Sequence, residues 1–560
     1  MIRVNIFKTI LLFTLLLFSK SDLLGCNCTK VIDLSVRNID GSNVKFRDIQ
    51  PGDTVCIQAG QREILRLANI HGDSLNYITF KNCGGTVDIA NDNLGYGISI
   101  YNCSYVRLSG SGDSTHRYGI RILKTQSTAT HGLSIGNFST DIEVDHLEIC
   151  NTGFAGIMAQ TYPTCDGSGN RGNFVQKNTS IHDNYIHNTR GEGMYIGHSS
   201  YNGIVKVCEE DSVTLYPPDL HGLYIYNNIL DSCGYDGIQA CCATKNCSIY
   251  NNIVTNYGTR NEPAQHTGIQ IGAGTTGLCY NNIIMNGSGT GIMVFGLGDN
   301  YVFNNLICNA GKSYFPEDLT KKVYGIFCDD RATIQGKSFN FINNTIIKPK
   351  TDGIRIYSTE SSNNLIYNNL IIEPDSLMYR YDMSSRFICA GSEIDAILAT
   401  NYFVSKLPGN VVSDNLNQIY DYCNSLNIHG HGTNVSQHGI NFDLYGNVRP
   451  ESDSIDIGAI QFSSFSAMSQ MKVNNQTTQS NYIKNKRPEI NQASYLNEID
   501  FMNDFKKKDI TVYSLNGQII HQRNQLSESF DQNTLPNGVY IVSVKTDNET
   551  HNQKIIVNKQ

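Results

Sequence analysis

Short stretches of alternating apolar and polar residues, separated by Gly and Asn, run through most of the chain. Period-two alternation in such brief runs predicts many short strands, each with one face buried. Two phrases recur inside the pattern. The first is an apolar residue, an aromatic, two Asn and then a short apolar run, as in Ile225-Tyr226-Asn227-Asn228, Ile249-Tyr250-Asn251-Asn252, Cys279-Tyr280-Asn281-Asn282 and Val302-Phe303-Asn304-Asn305. Looser copies are Phe341-Ile342-Asn343-Asn344, Ile366-Tyr367-Asn368-Asn369 and His182-Asp183-Asn184. The second Asn falls at 184, 228, 252, 282, 305, 344 and 369, in steps of 44, 24, 30, 23, 39 and 25. The short steps define one unit and the long ones that unit plus a loop.

The second phrase, Gly-Ile-x-apolar, runs in phase with the first, at Gly156, Gly237, Gly268, Gly291, Gly325 and Gly353, with Gly193-Met194 as a variant and earlier copies at Gly97 and Gly119. Two signals in one unit of this length imply two or three short strands per repeat. Repeats that each bury one face stack as a solenoid, with strands of successive coils pairing in parallel, which is a parallel β-helix. Asn at one register of every turn can bond to its copy in the next coil and to turn backbone. The outward tyrosines 226, 250, 280 and 367 form an aromatic ladder, read as a stacking device.

Composition narrows the function. A net charge of −8 with 17% charged residues excludes a disordered polyelectrolyte and supplies no basic field for nucleic acid, so none is expected as a partner. Arg3 and Lys8, the apolar run Ile10 to Phe18 and then Ser19-Lys20-Ser21 predict a signal peptide over residues 1–25 and no transmembrane segment. A competing reading takes Leu23-Leu24-Gly25-Cys26 as a lipoprotein box. Seventeen cysteines, an odd number, leave at least one thiol unpaired within the chain. Cys328 and others fall at inward positions and are expected as packing thiols, whereas Cys26, Cys28 and Cys165, in loop-like sequence, are the disulfide candidates.

The rungs resemble the right-handed parallel β-helix superfamily of secreted pectate lyases, polygalacturonases and alginate or chondroitin lyases, over roughly residues 45 to 462. Pro51-Gly52-Asp53-Thr54-Val55 resembles the opening segment of such helices. Asp443-Leu444-Tyr445-Gly446-Asn447-Val448-Arg449-Pro450 with Asp456-Ile457-Gly458-Ala459 resembles the closing one, and both are expected to cap the solenoid. Residues 463–508 are polar and aperiodic, a linker. Beyond them, Ile510 to Ile520 and Leu535-Pro536-Asn537-Gly538-Val539-Tyr540 resemble the C-terminal sorting domain of type IX secretion substrates, expected as a small β-sandwich over 509–560. That resemblance implies the type IX machinery as a partner and a secreted or cell-surface destination. The fold class is therefore all-β: a right-handed parallel β-helix over 26–462, a linker and a small C-terminal β-sandwich.

The outward column two residues after each Gly reads Met158, Tyr195, Gln239, Gln270, Met293, Phe327 and Arg355. Aromatics stack on sugar rings while Gln, Asp and Arg bond to hydroxyl and carboxylate groups, so the column suits an extended polysaccharide; the bland alternative is a solvated sheet face. Tyr195, Gln239, Gln270, Asp329, Asp330 and Arg190 are the candidate substrate-binding residues. Glu192 and Asp236 precede their glycines in adjacent coils and, with Arg355 and His198, are the candidate catalytic residues. The carboxylates would equally serve as turn caps or as a calcium pair, calcium being the one cofactor in view. Insertions over 158–184, 197–221, 256–266 and 309–324 are placed to wall a groove. His131-Gly132-Leu133, Asp329-Asp330 and Thr351-Asp352-Gly353 resemble polygalacturonase motifs but stand in the wrong order, so no triad is carried over. His429-Gly430-His431 with His438 has a metal-like spacing in Gly-rich loop sequence. Two functions follow: a polysaccharide lyase or glycoside hydrolase, or a noncatalytic surface adhesin using the same groove.

Overall fold

The computed structural model describes residues 26–125, 127–318, 321–374, 387–390, 393–451 and 454–462, and four strands between 509 and 557. The predicted leader and linker lie outside the described residues. Two parallel sheets wind together as a β-helix. One has 12 strands, from Asn38–Asp40 to Ile388–Ala390, and receives the Gly-Ile-x-apolar phrases at Gly97 and from Gly156 to Gly353; it is called here the groove sheet, whereas the copy expected at Gly119 opens Ile120–Thr125 in the other sheet. The other has 23 strands, because most coils give it two, such as Asp219–Tyr226 and Ile229–Asp231, on either side of the Asn-Asn pair.

The Asn-Asn pair divides its labour. The first member turns the chain with a left-handed backbone, φ +56° at Asn227, +55° at Asn251 and +53° at Asn281, a conformation Asn tolerates better than other side-chain-bearing residues. The second member points into the coil. Asn228 donates from its backbone N–H and its Nδ2 to Oδ1 of Asn252, at 3.1 and 3.0 Å, and from Nδ2 to the Ile181 carbonyl one coil back at 2.8 Å. Asn252 repeats this with Asn282, and Asn282 with Asn305, each bond at 3.0 Å. The line runs on through Asn344 and Asn369 to Asn401.

The glycine of the second phrase is demanded by space. A Cβ at Gly237 would lie 2.4 Å from Cγ1 of Val254 and 2.6 Å from the Gly268 carbonyl, and Gly268 and Gly291 stand in the same position against their neighbours. Only a residue without a side chain lets the long sheet turn this tightly into the groove sheet. Inside, Ile225, Ile249, Cys279 and Val302 stack at one register and Ile238, Ile269, Ile292 and Ile326 at another. All are fully buried.

The first coil, the closing segment and the ring ladder differ from expectation, whereas the cysteines follow it. The helix begins before Pro51: Lys30–Ile32 and Asn38–Asp40 already pair with the next coil. Disulfides Cys26–Cys83 and Cys28–Cys56 fasten this first turn, and a third, Cys165–Cys208, joins the first two insertions. The ten other cysteines whose side chains are described, Cys328 among them, are buried thiols. The closing segment is not a lid on the end of the solenoid. It runs along its flank, where Asn304 donates to the Phe442 carbonyl (2.6 Å), Asn343 to those of Asp456 and Gly458 (both 3.1 Å) and Asn368 to that of Thr433 (2.8 Å). Together with the helix Leu416–Ser425 it covers outward apolar residues such as Ile283, Leu306, Ile347 and Leu370. The ring stack runs His182, Tyr226, Tyr250, Tyr280, Phe303, with centroids 4.6 to 5.0 Å apart, and ends there because Ile342 separates Phe303 from Tyr367. In the tail, Asp509–Ser514, Ile519–Arg523, Gly538–Lys545 and Thr550–Val557 form one antiparallel sheet; the second layer of the expected sandwich lies outside the described residues.

Removing a ladder amide should orphan buried partners on both sides, whereas relaxing the left-handed Asn should not. Asn282→Ala is expected to lower the unfolding free energy by about 3 kcal/mol and Asn281→Gly to change it by less than about 0.5 kcal/mol, read from chemical unfolding of the secreted chain.

Candidate functional site

Register places the outward column as the sequence predicts. Met158, Tyr195, Gln239, Gln270, Met293, Phe327 and Arg355 are direct partners along the groove sheet, with Ser99 and Ser134 continuing the line toward the N-terminus. The column is not an open solvated face: Met158, Gln239, Gln270 and Arg355 are buried and Tyr195, Met293 and Phe327 half-buried. Topology explains the recess. Two insertions leave the ends of strands Ile157–Gln160 and Met194–Ile196, and two enter the starts of Ile269–Ile271 and Ile326–Cys328, so they stand on opposite edges of the sheet. The first two are bound to each other by Cys165–Cys208 and by Arg171, which stacks 3.8 Å from the Tyr201 ring centre and pairs with Asp219. The other two meet through the rings of His266 and Tyr314, 4.6 Å apart.

The residue before each Gly forms a second column beside the floor. His131, Ala155, Glu192, Asp236, Thr267, Thr290, Tyr324 and Asp352 follow one another, each backbone carbonyl from Ala155 onward accepting the N–H of the preceding coil's Gly. Three contacts show that these side chains border the floor. Asp352 accepts from Arg355 at 2.9 Å, Tyr324 stacks on Phe327 at 5.2 Å, and Thr267 Oγ1 lies 3.9 Å from the Met293 sulfur. Glu192 and Asp236 therefore flank Tyr195 and Gln239, in adjacent coils about 4.8 Å apart.

Both carboxyls are closed to water, at 2% and 0% exposure. Asp236 Oδ1 accepts the Thr267 backbone N–H at 2.6 Å, while Asp236 Oδ2 and Glu192 Oε2 have no hydrogen-bond partner among the described residues. Burial pushes the Glu192 carboxyl up to about 7. Burial, then the neighbouring Glu192, holds Asp236 well above the usual carboxylate range. Two stacked acids in a dry setting cannot both ionise, so the pair retains protons that a surface acid releases. Such a pair can donate a proton or share one, the property a general acid needs near neutral pH.

The other candidates fall elsewhere. Arg355 lies four coils beyond Asp236, about 19 Å away by strand spacing, bound to Asp352 and stacked 4.5 Å from the Tyr357 ring. His198 is on the opposite edge, its Nδ1 accepting the Ser200 N–H at 3.1 Å and its ring against Tyr162; burial lowers its pKa. Tyr195 donates to Ser199 Oγ at 2.9 Å. Asp329 is gripped by Arg331, whereas Asp330 accepts from Thr359, so the two acids part company. Arg190 is exposed on the turn that leads to Glu192. The residue that sequence reading left out of the site is His131. It occupies the column of Glu192, two coils away with Ala155 between, and its phase before Gly132 was the available signal. Its Nδ1 is buried without a hydrogen-bond partner among the described residues, and burial drives its pKa down to about 4.

No three-carboxylate cluster stands in the groove: among the described residues the groups with ligand atoms close enough for one ion are Cys28, Cys56 and Cys83, already joined in disulfides with Cys26, and Glu143, Asp145 and His182. The latter group lies on the long sheet and is closed by Arg107. The three loop histidines do not converge either, since His429 binds Asp456 and His431 binds Asn427.

Residues 219–376 match the family model of the right handed beta helix region, which gives the hand of the coil. Residues 492–558 match that of the secretion system C-terminal sorting domain, beginning inside the stretch read as linker. The tail marks the chain for type IX export to the cell surface or medium. Among the described residues no helix is long and apolar enough to cross a membrane. No curated protein sequence matches the chain. Similar solved structures include a GH136 lacto-N-biosidase from Eubacterium ramulus, at 13% identity and TM-score 0.45 over 64% of this chain and 63% of that one. An alginate lyase from Paenibacillus sp. str. FPU-7 follows at 15% identity and TM-score 0.36, over 66% and 100%. Pectate lyase Pel9A stands at 10% and 0.38, over 79% and 98%. The chain thus spans less than two thirds of the lacto-N-biosidase.

The raised acid has a consequence for stability with a definite sign. The folded state holds the Glu192 proton more tightly than the unfolded chain, so its penalty is absent below about pH 4.5 and complete above about pH 7. Glu192→Gln should therefore be more stable than the parent by about 3 kcal/mol at pH 8 and show no such advantage at pH 4, measured by paired unfolding curves.

Proposed function

We propose that the protein is an exported glycan-cleaving enzyme and that Glu192 and Asp236 are its reaction centre. The proposed layout is a leader over 1–25, a catalytic β-helix over 26–462 and a removable or anchoring sorting tail. The observation that carries the reading is the pair itself: two buried carboxyls on adjacent coils, each with an unpartnered oxygen, at the rim of a walled groove. Glycoside hydrolysis needs one carboxyl that keeps its proton at neutral pH and a second that acts from beside it. Glu192 fits the acid, its proton held by burial, and it in turn raises the proton affinity of Asp236 beside it. Elimination needs a Lys or Arg base at the reacting carbon; Arg355 is about 19 Å away and already paired, and Arg190, two residues before Glu192, is exposed on the turn and not part of the floor. Hydrolysis is therefore the reaction class proposed.

One observation favours the second reading, a noncatalytic glycan-binding adhesin: the pair is shut off from water in the unliganded fold, while Tyr357 in the groove is 42% exposed. The two separate by substitution. Incubated with a panel of polysaccharides, the secreted protein is expected to generate new reducing ends without the unsaturated uronate that elimination leaves. Glu192→Gln and Asp236→Asn are each expected to lose at least about 1,000-fold in rate while still retaining glycan on an affinity gel. Retention with no reducing ends from the parent would establish the adhesin instead.

A further inference from the structure

We infer that the groove takes a chain of neutral sugars, recognised through hydroxyl and amide groups, and rejects polyuronates and sulfated glycans. The inference rests on the proposed reaction centre for its chemistry, though its own warrant is the charge map of the floor. From Ser99 to Phe327 the floor column contains no charged residue. That is eight coils, about 34 Å at one strand spacing per coil, or room for six or seven sugar units. A polyuronate presents a carboxylate on every unit. Each one removed from water without a counter-charge costs far more than a hydroxyl that finds an amide.

The cations around the groove do not fill that gap: Arg66 stands one coil before Ser99, at the end of the column and over the Tyr101 ring, and Lys321 lies over Phe315 within the fourth insertion. Arg171 is bound to Asp219 and Arg331 to Asp329, and Arg355 at the far end is held by Asp352. Lys206 donates to the Pro163 carbonyl at 2.8 Å, on the wall rather than the floor. Arg190 and Arg260 are exposed, and the Arg190 backbone carbonyl and Cδ of Arg260 both lie against Gly234 at one corner. They offer an anionic chain one point of contact, not a row. The other route by which a sheet face binds uronates, a calcium bridge, needs several convergent carboxylates. Asp329 and Asp352 are already paired, Glu192 and Asp236 are buried, and the groove has no cluster with the required spacing among the described residues. What the floor does offer is amide and aromatic surface: Gln239 and Gln270 in successive coils, with Tyr195 before them and Phe327 two coils beyond. Gln160 adds a buried amide oxygen without a partner beside Tyr162.

The test measures binding to the full secreted chain carrying Glu192→Gln, so that turnover does not consume the probe. Xylan, laminarin, mannan and chitin oligosaccharides are compared with polygalacturonate, alginate and chondroitin sulfate by affinity electrophoresis and calorimetry, each with EDTA and with millimolar calcium. At least one neutral probe should bind at least tenfold tighter than every anionic one, with little dependence on salt or calcium. Gln239→Ala and Gln270→Ala should each weaken it at least fivefold, and Arg260→Ala should leave it unchanged. Tighter binding of an anionic chain would overturn the inference, as would binding that appears only with calcium or is lost in Arg260→Ala. Binding of no glycan would overturn it too. Failure of the reaction centre looks different: a neutral chain held tightly by the parent and released uncut would sink the hydrolase and leave this inference standing. A polyuronate cut by the parent and spared by Glu192→Gln would do the reverse.

Discussion

A line of asparagines, each giving its backbone and side-chain N–H to the amide oxygen of the next, sets the register on which the remaining geometry depends. From Asn184 to Asn369 these residues are buried, and every bond joins one coil to its neighbour. A slip of one residue would leave buried donors and acceptors unmatched along the whole line and would turn each strand's apolar face outward. Because register is held this firmly, any position of the repeat becomes a straight column on the surface. The floor and the acid-bearing rim are two such columns, separated by three residues along the chain.

That dependence explains what could be foreseen. Repeat, strand count and the floor from Met158 to Arg355 follow from period and phase alone, and the stacked partners are those that phase assigns. The adjacency of Glu192 and Asp236 follows in the same way, from their common position before Gly193 and Gly237. Properties that depend on what lies over a column do not follow from phase. Ile283, Leu306 and Ile347 face outward, and only the fold shows that the chain after residue 415 returns to cover them. Arg355 stands in the floor column by phase, but Asp352, three residues earlier on the same coil, holds it. His131 resembles part of a motif to which it does not belong, while its phase before Gly132 sets it in the acid's column.

The rim column makes chemical sense as a set of neighbours. Like charges directly opposite on paired strands destabilise a sheet, and a ladder repeats that arrangement by construction. Glu192 above Asp236 is tolerable only if one proton or more stays with the pair, and burial without a nearby cation ensures it. Asp352 solves the same problem the other way: Arg355 neutralises it, leaving it no proton to give. One column thus contains a proton-holding acid pair and a salt-bridged acid, and only the former has the unpartnered oxygens that a reacting group would meet.

A site that stores such strain must sit where the scaffold can absorb it. In a solenoid each coil contacts only its neighbours, so an unfavourable pair is offset locally or not at all. The amide ladder does not reach the N-terminal coils, and other devices serve there: two disulfides and the Arg62 guanidinium, which donates to the carbonyls of Ile32, Asp33, Leu34, Val36 and Gln58. The C-terminal coils rely on the flanking return segment. Glu192 and Asp236 occupy the coils of Asn184 and Asn228, where the ladder starts, with the bound pair of insertions on the opposite edge. The acids therefore stand in coils whose register is held by two amide bonds per step and whose groove is closed on one side by a disulfide-linked wall. Their geometry is fixed by groups that take no part in the chemistry, so substitutions at the acids and at the ladder should separate activity from stability.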